Sequence, residues 1–148
     1  MEEILETSVA PSERLHSMDL ALSVLGERWI PREARYVASA RRFVREIAVD
    51  WKAAEGIPEI AELLTSEIVT NAVVHAAARP VQVSVMREGR LMVVEACDFS
   101  SAVPQIRSAA SMEASGRGLT VVKQLSHAWG WLPNPYGKSV WFELVAWP

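Results

Sequence analysis

An acidic residue and an amide lie at a spacing that could support metal-dependent chemistry. Glu67, Asn71 and His75 recur every four residues in a mostly apolar segment. Residues four apart differ by about 40° around an α-helix, so the three share one stripe. The amide oxygen of Asn71 suits Mg²⁺, and Glu67 can accept a proton from an attacking hydroxyl or water. Taken alone, the stripe is better explained as a solvated helix face, and His75 as a satisfied histidine at a helix end rather than a residue near phosphates.

Asp98 is a second candidate for chemistry. It follows an apolar run and opens a loop rich in small residues. A carboxylate at a strand end can accept a hydrogen bond from an exocyclic amine, such as that of adenine. A turn-forming aspartate explains the position equally well. The small side chains of Ser100, Ser101 and Ala102 leave the loop backbone close to any ligand.

A glycine-bearing turn before a helix-like segment is a candidate anion site. It consists of Gly116, Arg117, Gly118 and Leu119. Backbone N–H groups at a helix entrance point toward phosphate oxygens, the helix dipole favours the anion, and Arg117 adds positive charge. A plain helix-start turn explains the two glycines equally well. The motif is not a Walker loop, because Lys123 is misplaced for one, nor a dinucleotide-binding turn, because the third glycine is missing.

Helices and strands are predicted on both sides of these residues. Residues 19–30 favour an edge strand, and Pro31 suits the first residue of a helix whose apolar residues recur at three- and four-residue steps. A second such helix ends near Ala78, because a residue before proline, here Arg79, is disfavoured in a helix. Strand-like runs follow at 81–86, 91–96, 129–132 and 139–147, with a helix at 116–125 between the second and third. This order predicts an α+β layer architecture.

Composition narrows the class of protein. The chain has 148 residues, of which 50% are hydrophobic and 22% charged, as expected of one domain with a substantial core. Residues 1–18 are predicted to form a flexible extension before a single domain at 19–148. The net charge of −3 gives no basic footprint for direct nucleic-acid binding. Cys97 is the only cysteine, and neither a secretory signal nor an apolar run of about 18 residues is visible, so we expect a cytoplasmic protein that does not span a membrane.

The order of these motifs resembles that of the GHKL ATPase superfamily. A helix with Glu-x-x-x-Asn precedes a strand ending in aspartate, then a loop, then a glycine turn that opens a helix. The short length and the run at 64–75 are most similar to bacterial anti-sigma-factor serine/threonine kinases, and the resemblance covers roughly residues 32–144. It implies a two-layer α/β sandwich of the Bergerat type, with a mixed, mostly antiparallel sheet covered by helices on one face.

The resemblance also implies roles for individual residues. Glu67 matches the catalytic carboxylate, Asn71 the Mg²⁺ ligand and Asp98 the adenine-binding aspartate. The turn from Gly116 through Arg117 and Gly118 to Leu119 matches the phosphate-contacting segment after the ATP lid. Ser139 falls where members carry a threonine near the adenine. ATP and Mg²⁺ would be the cofactors. The partners would be a sigma factor and a phosphorylatable STAS-domain antagonist, and homodimers are common in the group.

One motif departs from the superfamily pattern. In place of D-x-G-x-G the chain has serine and alanine at the glycine positions, Ser100 and Ala102, which adds side-chain volume where the backbone approaches the nucleotide. A branch of anti-sigma-like regulators carries D-x-S-x-x-x-P, which Asp98, Ser100 and Pro104 fit, so Ser100 is a nucleotide-binding candidate. Two other functions stay open: a non-catalytic module that binds ATP weakly or not at all and sequesters a partner, and a small ATPase or detached histidine-kinase core. The last is the least favoured.

Overall fold

The computed structural model describes residues 10–16, 22–75, 79–98, 117–134 and 137–148. The helices are α1 (Pro11–His16), α2 (Val37–Asp50), α3 (Ile57–His75) and α4 (Arg117–Leu125), with a short 3-10 turn at Ala34–Tyr36 before α2. The strands are β1 (Leu22–Ile30), β2 (Val81–Glu88), β3 (Leu91–Asp98), β4 (Ala128–Asn134) and β5 (Gly137–Val145). Within those ranges, no helix is both long and apolar enough to cross a membrane.

The five strands form one sheet in the order β1-β2-β3-β5-β4. β2 and β3 make a hairpin whose tight turn contains Gly89, at a φ of 59° that favours glycine. β1 lies at an edge beside β2, as the sequence predicts. The predicted α+β sandwich is confirmed. All the strand pairings that join the described strands are antiparallel, whereas the sequence allowed for a mixed sheet.

α2, α3 and α4 cover one face of the sheet and form the main core with it. Side chains alternate between the two faces along a strand, so every second residue of β2 reaches this core: Val81, Val83 and Val85 are all fully buried. Phe142 of β5 is the bulkiest of the fully buried side chains. The periodic apolar residues of α3 pack onto the same layer, which fixes the orientation of the stripe that carries Glu67.

The connection from β1 to α2 differs from the predicted one. Pro31 is exposed and lies outside any helix; the chain turns at Ala34–Tyr36, and α2 begins only at Val37. The reason is geometric: Glu33 is still extended, with φ −144° and ψ 139°, because the chain has to leave the sheet before it can wind onto the helical layer. The prediction that Pro31 starts a helix is therefore wrong, and Arg32 lies in a bend of the connection, where the Glu33 N–H donates to the Pro31 carbonyl at 2.8 Å.

Part of the other face of the sheet is covered by α1. Residues of the N-terminal segment and of the sheet form a second, smaller apolar cluster, made of Ala10, Leu22, Met86, Val93 and Trp141. Residues 10–16, which belong to the extension predicted at residues 1–18, include α1 and pack against this face. They are held there because the sheet offers them an apolar surface and, beside it, a polar anchor.

That anchor is the buried carboxylate of Glu95, which is 1% exposed. It accepts hydrogen bonds from the backbone N–H and Oγ of Ser12 at 3.0 and 3.1 Å, and from Sγ of Cys97 at 3.2 Å. Burial raises the pKa of Glu95, and the hydrogen bonds oppose that shift. Burial and the neighbouring Glu95 also raise the pKa of Cys97 to about 12, so the thiol stays protonated. Cys97 is a buried core residue, as the sequence predicts.

The substitution Glu95→Gln is expected to flatten the dependence of stability on pH. A carboxyl group whose pKa is higher in the folded than in the unfolded state favours folding less once it ionises. Wild-type stability should therefore fall as the pH rises from the unfolded-state pKa, about 4.3, through the raised folded-state pKa of Glu95. Glutamine cannot ionise, yet it keeps a carbonyl oxygen for Ser12.

Urea unfolding midpoints of both proteins, measured between about pH 4 and about pH 8, test this expectation. The half-buried Glu143, whose pKa is also raised by burial, titrates in both proteins, so the difference between the two profiles isolates Glu95. Parallel profiles would show that Glu95 does not carry this part of the pH dependence.

Candidate functional site

Several elements meet at the end of the sheet where β3 ends and β5 begins. Asp98 is the last residue of β3, and it pairs with Val81 of β2 on one side and Lys138 of β5 on the other. α3 ends nearby, because only a short connection separates it from β2. Arg32, in the β1–α2 connection, donates from Nε to the carbonyl oxygen of Arg79 at 2.9 Å, which brings it to the same end.

Three charged side chains, Asp98, Arg32 and Lys138, form what we call the Asp98 cluster. Asp98 is 3% exposed; Nη2 of Arg32 lies 3.9 Å from its Oδ1, and Nζ of Lys138 lies 3.8 Å from its Oδ2. Burial lowers the pKa of Arg32, and the charge of Asp98 opposes that effect. Among the described residues, the buried Nη1 and Nη2 of Arg32 have no hydrogen-bond acceptor, so the cluster offers donors to a polar ligand.

The stripe on α3 is more buried than a solvated helix face would be. Asn71 is 8% exposed, and its Oδ1 has no hydrogen-bond partner in the part of the chain that the structure describes. Glu67, one turn earlier, is half-buried. A buried carbonyl oxygen without a partner costs about 1–3 kcal/mol, so such an atom calls for a ligand, and a hard cation is the partner that an amide oxygen suits.

The family model for the histidine kinase-like ATPase domain matches residues 30–144. The chain belongs to this family. The match covers the Asp98 cluster, the α3 stripe and the first turn of α4, and it confirms the predicted GHKL-type superfamily and the predicted fold. Among curated proteins, none matches the chain.

As a histidine kinase-like ATPase domain, the protein is an ATP-binding domain. The site also contains an oxygen atom that suits a divalent cation such as Mg²⁺. The Oδ1 of Asn71, which has no hydrogen-bond partner among the described residues, offers one oxygen ligand. No group of three or more His, Cys, Asp and Glu side chains that could hold a metal ion occurs among the described residues, so a cation at Asn71 would take most of its ligands from phosphate and water, as Mg²⁺ commonly does.

The structure of this ATPase domain corrects the predicted position of Ser139. Because Lys138 is the residue paired with Asp98, the side chain of Ser139 points to the opposite face of the sheet. There it pairs with Cys97, and its Oγ lies 3.2 Å from the Cys97 Sγ. Ser139 is therefore separated from the Asp98 cluster by the sheet, and its neighbour Lys138 lies in that cluster instead.

The glycine turn is described only in part. The predicted helix is confirmed as α4, and Arg117, Gly118 and Leu119 form its first turn. Their side chains, the side chain of His75, and the whole of Ser100 and Gly116 lie outside the described residues. The phosphate and lid contacts assigned to them stay predictions.

The substitution Asn71→Ala is expected to weaken Mg-ATP binding by on the order of tenfold without lowering the stability of the free protein. The free protein loses an acceptor that has no partner among the described residues, and alanine favours a helix, whereas the complex loses a metal ligand. Calorimetric titrations with ATP, in Mg²⁺ and in EDTA, distinguish the loss of a metal ligand from a general loss of nucleotide binding. The loss should be confined to Mg²⁺, and Thr70→Ala, at an exposed neighbour on α3, should have no effect. An equal loss in EDTA would contradict the metal role.

Proposed function

We propose that this ATP-binding domain is an anti-sigma-factor-like protein serine/threonine kinase. It binds a sigma factor, phosphorylates a STAS-domain antagonist of that binding, and acts in the cytoplasm as a homodimer. The observation that supports the proposal is the pairing of a half-buried Glu67 with Asn71 one turn later, whose buried Oδ1 has no partner among the described residues. A domain that only sequesters a partner has no need of both groups.

Each part of the transfer is given to a residue of this chain. Glu67 orients the hydroxyl of the protein substrate and accepts its proton as the hydroxyl oxygen bonds to the γ-phosphorus of ATP and ADP leaves. Asn71 holds Mg²⁺ through Oδ1, and the metal supplies neutralisation of charge on the phosphate oxygens. Asp98 accepts a hydrogen bond from the adenine amine. The first turn of α4 offers backbone N–H groups to the phosphates.

Transfer of label from γ-labelled ATP tests the proposal. The full chain is incubated with Mg²⁺ and candidate STAS-domain proteins, and the labelled product is treated with acid and alkali to distinguish phosphoserine or phosphothreonine from phosphohistidine. We expect an acid-stable label on the STAS protein that is abolished by EDTA. ATP binding without transfer to any such protein would contradict the kinase function, and hydrolysis without an acceptor would indicate a simple ATPase.

The second candidate is a non-catalytic ATP-binding or partner-sequestering module. It is favoured by the replacement of two motif glycines with Ser100 and Ala102, which adds volume where the nucleotide approaches. Such a module would bind the sigma factor equally well with and without ATP. The kinase should instead bind sigma and release it when the unphosphorylated antagonist is added.

A further inference from the structure

Arg32 is a largely buried arginine with hydrogen-bond donors that find no acceptor in the part of the chain that the structure describes. Its side chain is 11% exposed, and its Nε donates to the carbonyl of Arg79. Its Nη1 and Nη2 are buried and have no acceptor at hydrogen-bond distance among the residues that the structure describes. A buried donor without an acceptor is destabilising, and a charged one is more so, so these groups need an explanation.

The position of Arg32 suggests what its acceptor is. Its Nη2 lies 3.9 Å from Oδ1 of Asp98, which is too long for a direct hydrogen bond. A donor and an acceptor therefore lie side by side at the end of β3, while Lys138 lies at the other carboxylate oxygen. Such a pair is complemented by the edge of a planar ring that carries an amine next to an acceptor nitrogen. The amine can donate to the carboxylate, and the nitrogen can accept from the guanidinium.

We propose that Arg32 helps to select the base of the bound nucleotide. It donates a hydrogen bond to N1 of adenine, while Asp98 accepts one from the adjacent exocyclic amine. Adenine presents these two groups next to each other, and N1 accepts from one of the Arg32 donors that otherwise have no described acceptor. Arg32 is thus a specificity residue. The inference rests on the binding of ATP at the Asp98 cluster and not on kinase activity.

Calorimetric titration of the full chain with three Mg-nucleotides tests the inference: ATP, 1-deaza-ATP, which lacks N1, and 7-deaza-ATP, which keeps it. The variants are Arg32→Met and, as a matched control, Arg35→Met, at an exposed arginine of the same connection that pairs with Glu33 at 3.0 Å. Wild type should bind 1-deaza-ATP about 10- to 100-fold more weakly than ATP, and 7-deaza-ATP should bind like ATP.

Arg32→Met should bind ATP as weakly as wild type binds 1-deaza-ATP, and it should not distinguish the two. Arg35→Met should behave as wild type. The rise in melting temperature on adding ATP gives a second readout: it should be smaller for Arg32→Met than for Arg35→Met, whatever the melting temperature of each variant without nucleotide.

The outcomes separate two failures. If wild type binds no ATP at millimolar concentration, both the ATP site and the role of Arg32 are wrong. If ATP binds and Arg32→Met binds it as tightly as wild type does, or still distinguishes ATP from 1-deaza-ATP, the ATP site stands and the role of Arg32 is overturned.

Discussion

The substitution Glu67→Gln is expected to slow phosphoryl transfer by about 10²- to 10⁴-fold while Mg-ATP still binds. Glutamine has the shape of glutamate but cannot take up the proton that the attacking hydroxyl has to lose. The nucleotide contacts assigned to Asn71 and Asp98 are untouched. Single-turnover transfer of label to the STAS protein measures the chemical step, and a parallel calorimetric titration measures binding.

A second glutamate of α3 supplies the control for this experiment. Glu62 lies on the same helix and pairs with Arg45 at 3.0 Å, so Glu62→Gln removes a carboxylate and one partly exposed ion pair, worth at most about 1 kcal/mol. Its transfer rate should equal that of wild type. If Glu67→Gln transfers label as fast as Glu62→Gln, Glu67 is not the base. If it loses ATP binding as well, its role is in holding the nucleotide.

The substitution Phe142→Ala is expected to destabilise the domain by about 3–5 kcal/mol. Phe142 is fully buried at the centre of the main core, with Val94 and Trp129 as its cross-strand neighbours on β3 and β4. Alanine would leave a cavity among strands that cannot collapse without moving the sheet. Domains of this size typically have only about 5–15 kcal/mol of stability, so the loss is a large fraction of the total.

Urea unfolding followed by tryptophan fluorescence measures this loss. The midpoint should fall while the slope of free energy against urea stays constant, because the same surface is exposed on unfolding. Val145→Ala, at a 39% exposed position of the same strand, is the control and should cost less than about 1 kcal/mol. A loss below about 1 kcal/mol for Phe142→Ala would mean that the sheet repacks around the missing ring.

A strand could be predicted from the sequence, with its inward face, where apolar residues alternate with more polar ones. β5 lacks that alternation. Val81, Val83 and Val85 alternate with Gln82, Ser84 and Met86, so the sequence reveals which face of β2 meets the helices. The first six residues of β5 are all buried, because one face meets the helices and the other lies beneath a second layer. Alternation is then absent, and a shift of one residue exchanges Lys138 for Ser139 at the Asp98 cluster.

Two other features were missed for related reasons. The position of Arg32 beside Asp98 could not be predicted, because Pro31 is as compatible with a helix start as with an irregular connection. Only the position of the sheet decides between them. The docking of α1 depends on a contact between Ser12 and Glu95, which no local pattern reports. A visible sign existed: a glutamate in the middle of an apolar strand needs a partner when it is buried. The stripe on α3 could be predicted because it depends only on a four-residue spacing within one helix.

The contact between Ser12 and Glu95 also bears on how the chain folds as it is made. The two residues are 83 positions apart. β1 likewise pairs with β2, which comes later in the chain than α2 and α3. A ribosome releases α1 and β1 before the other elements of this domain, yet neither can be completed until two helices and a hairpin have followed. Closing so long a loop is slow relative to forming the α2–α3 pair or the β2–β3 hairpin. Within the domain, the elements that are synthesised before the helices are therefore the last to be fixed in place.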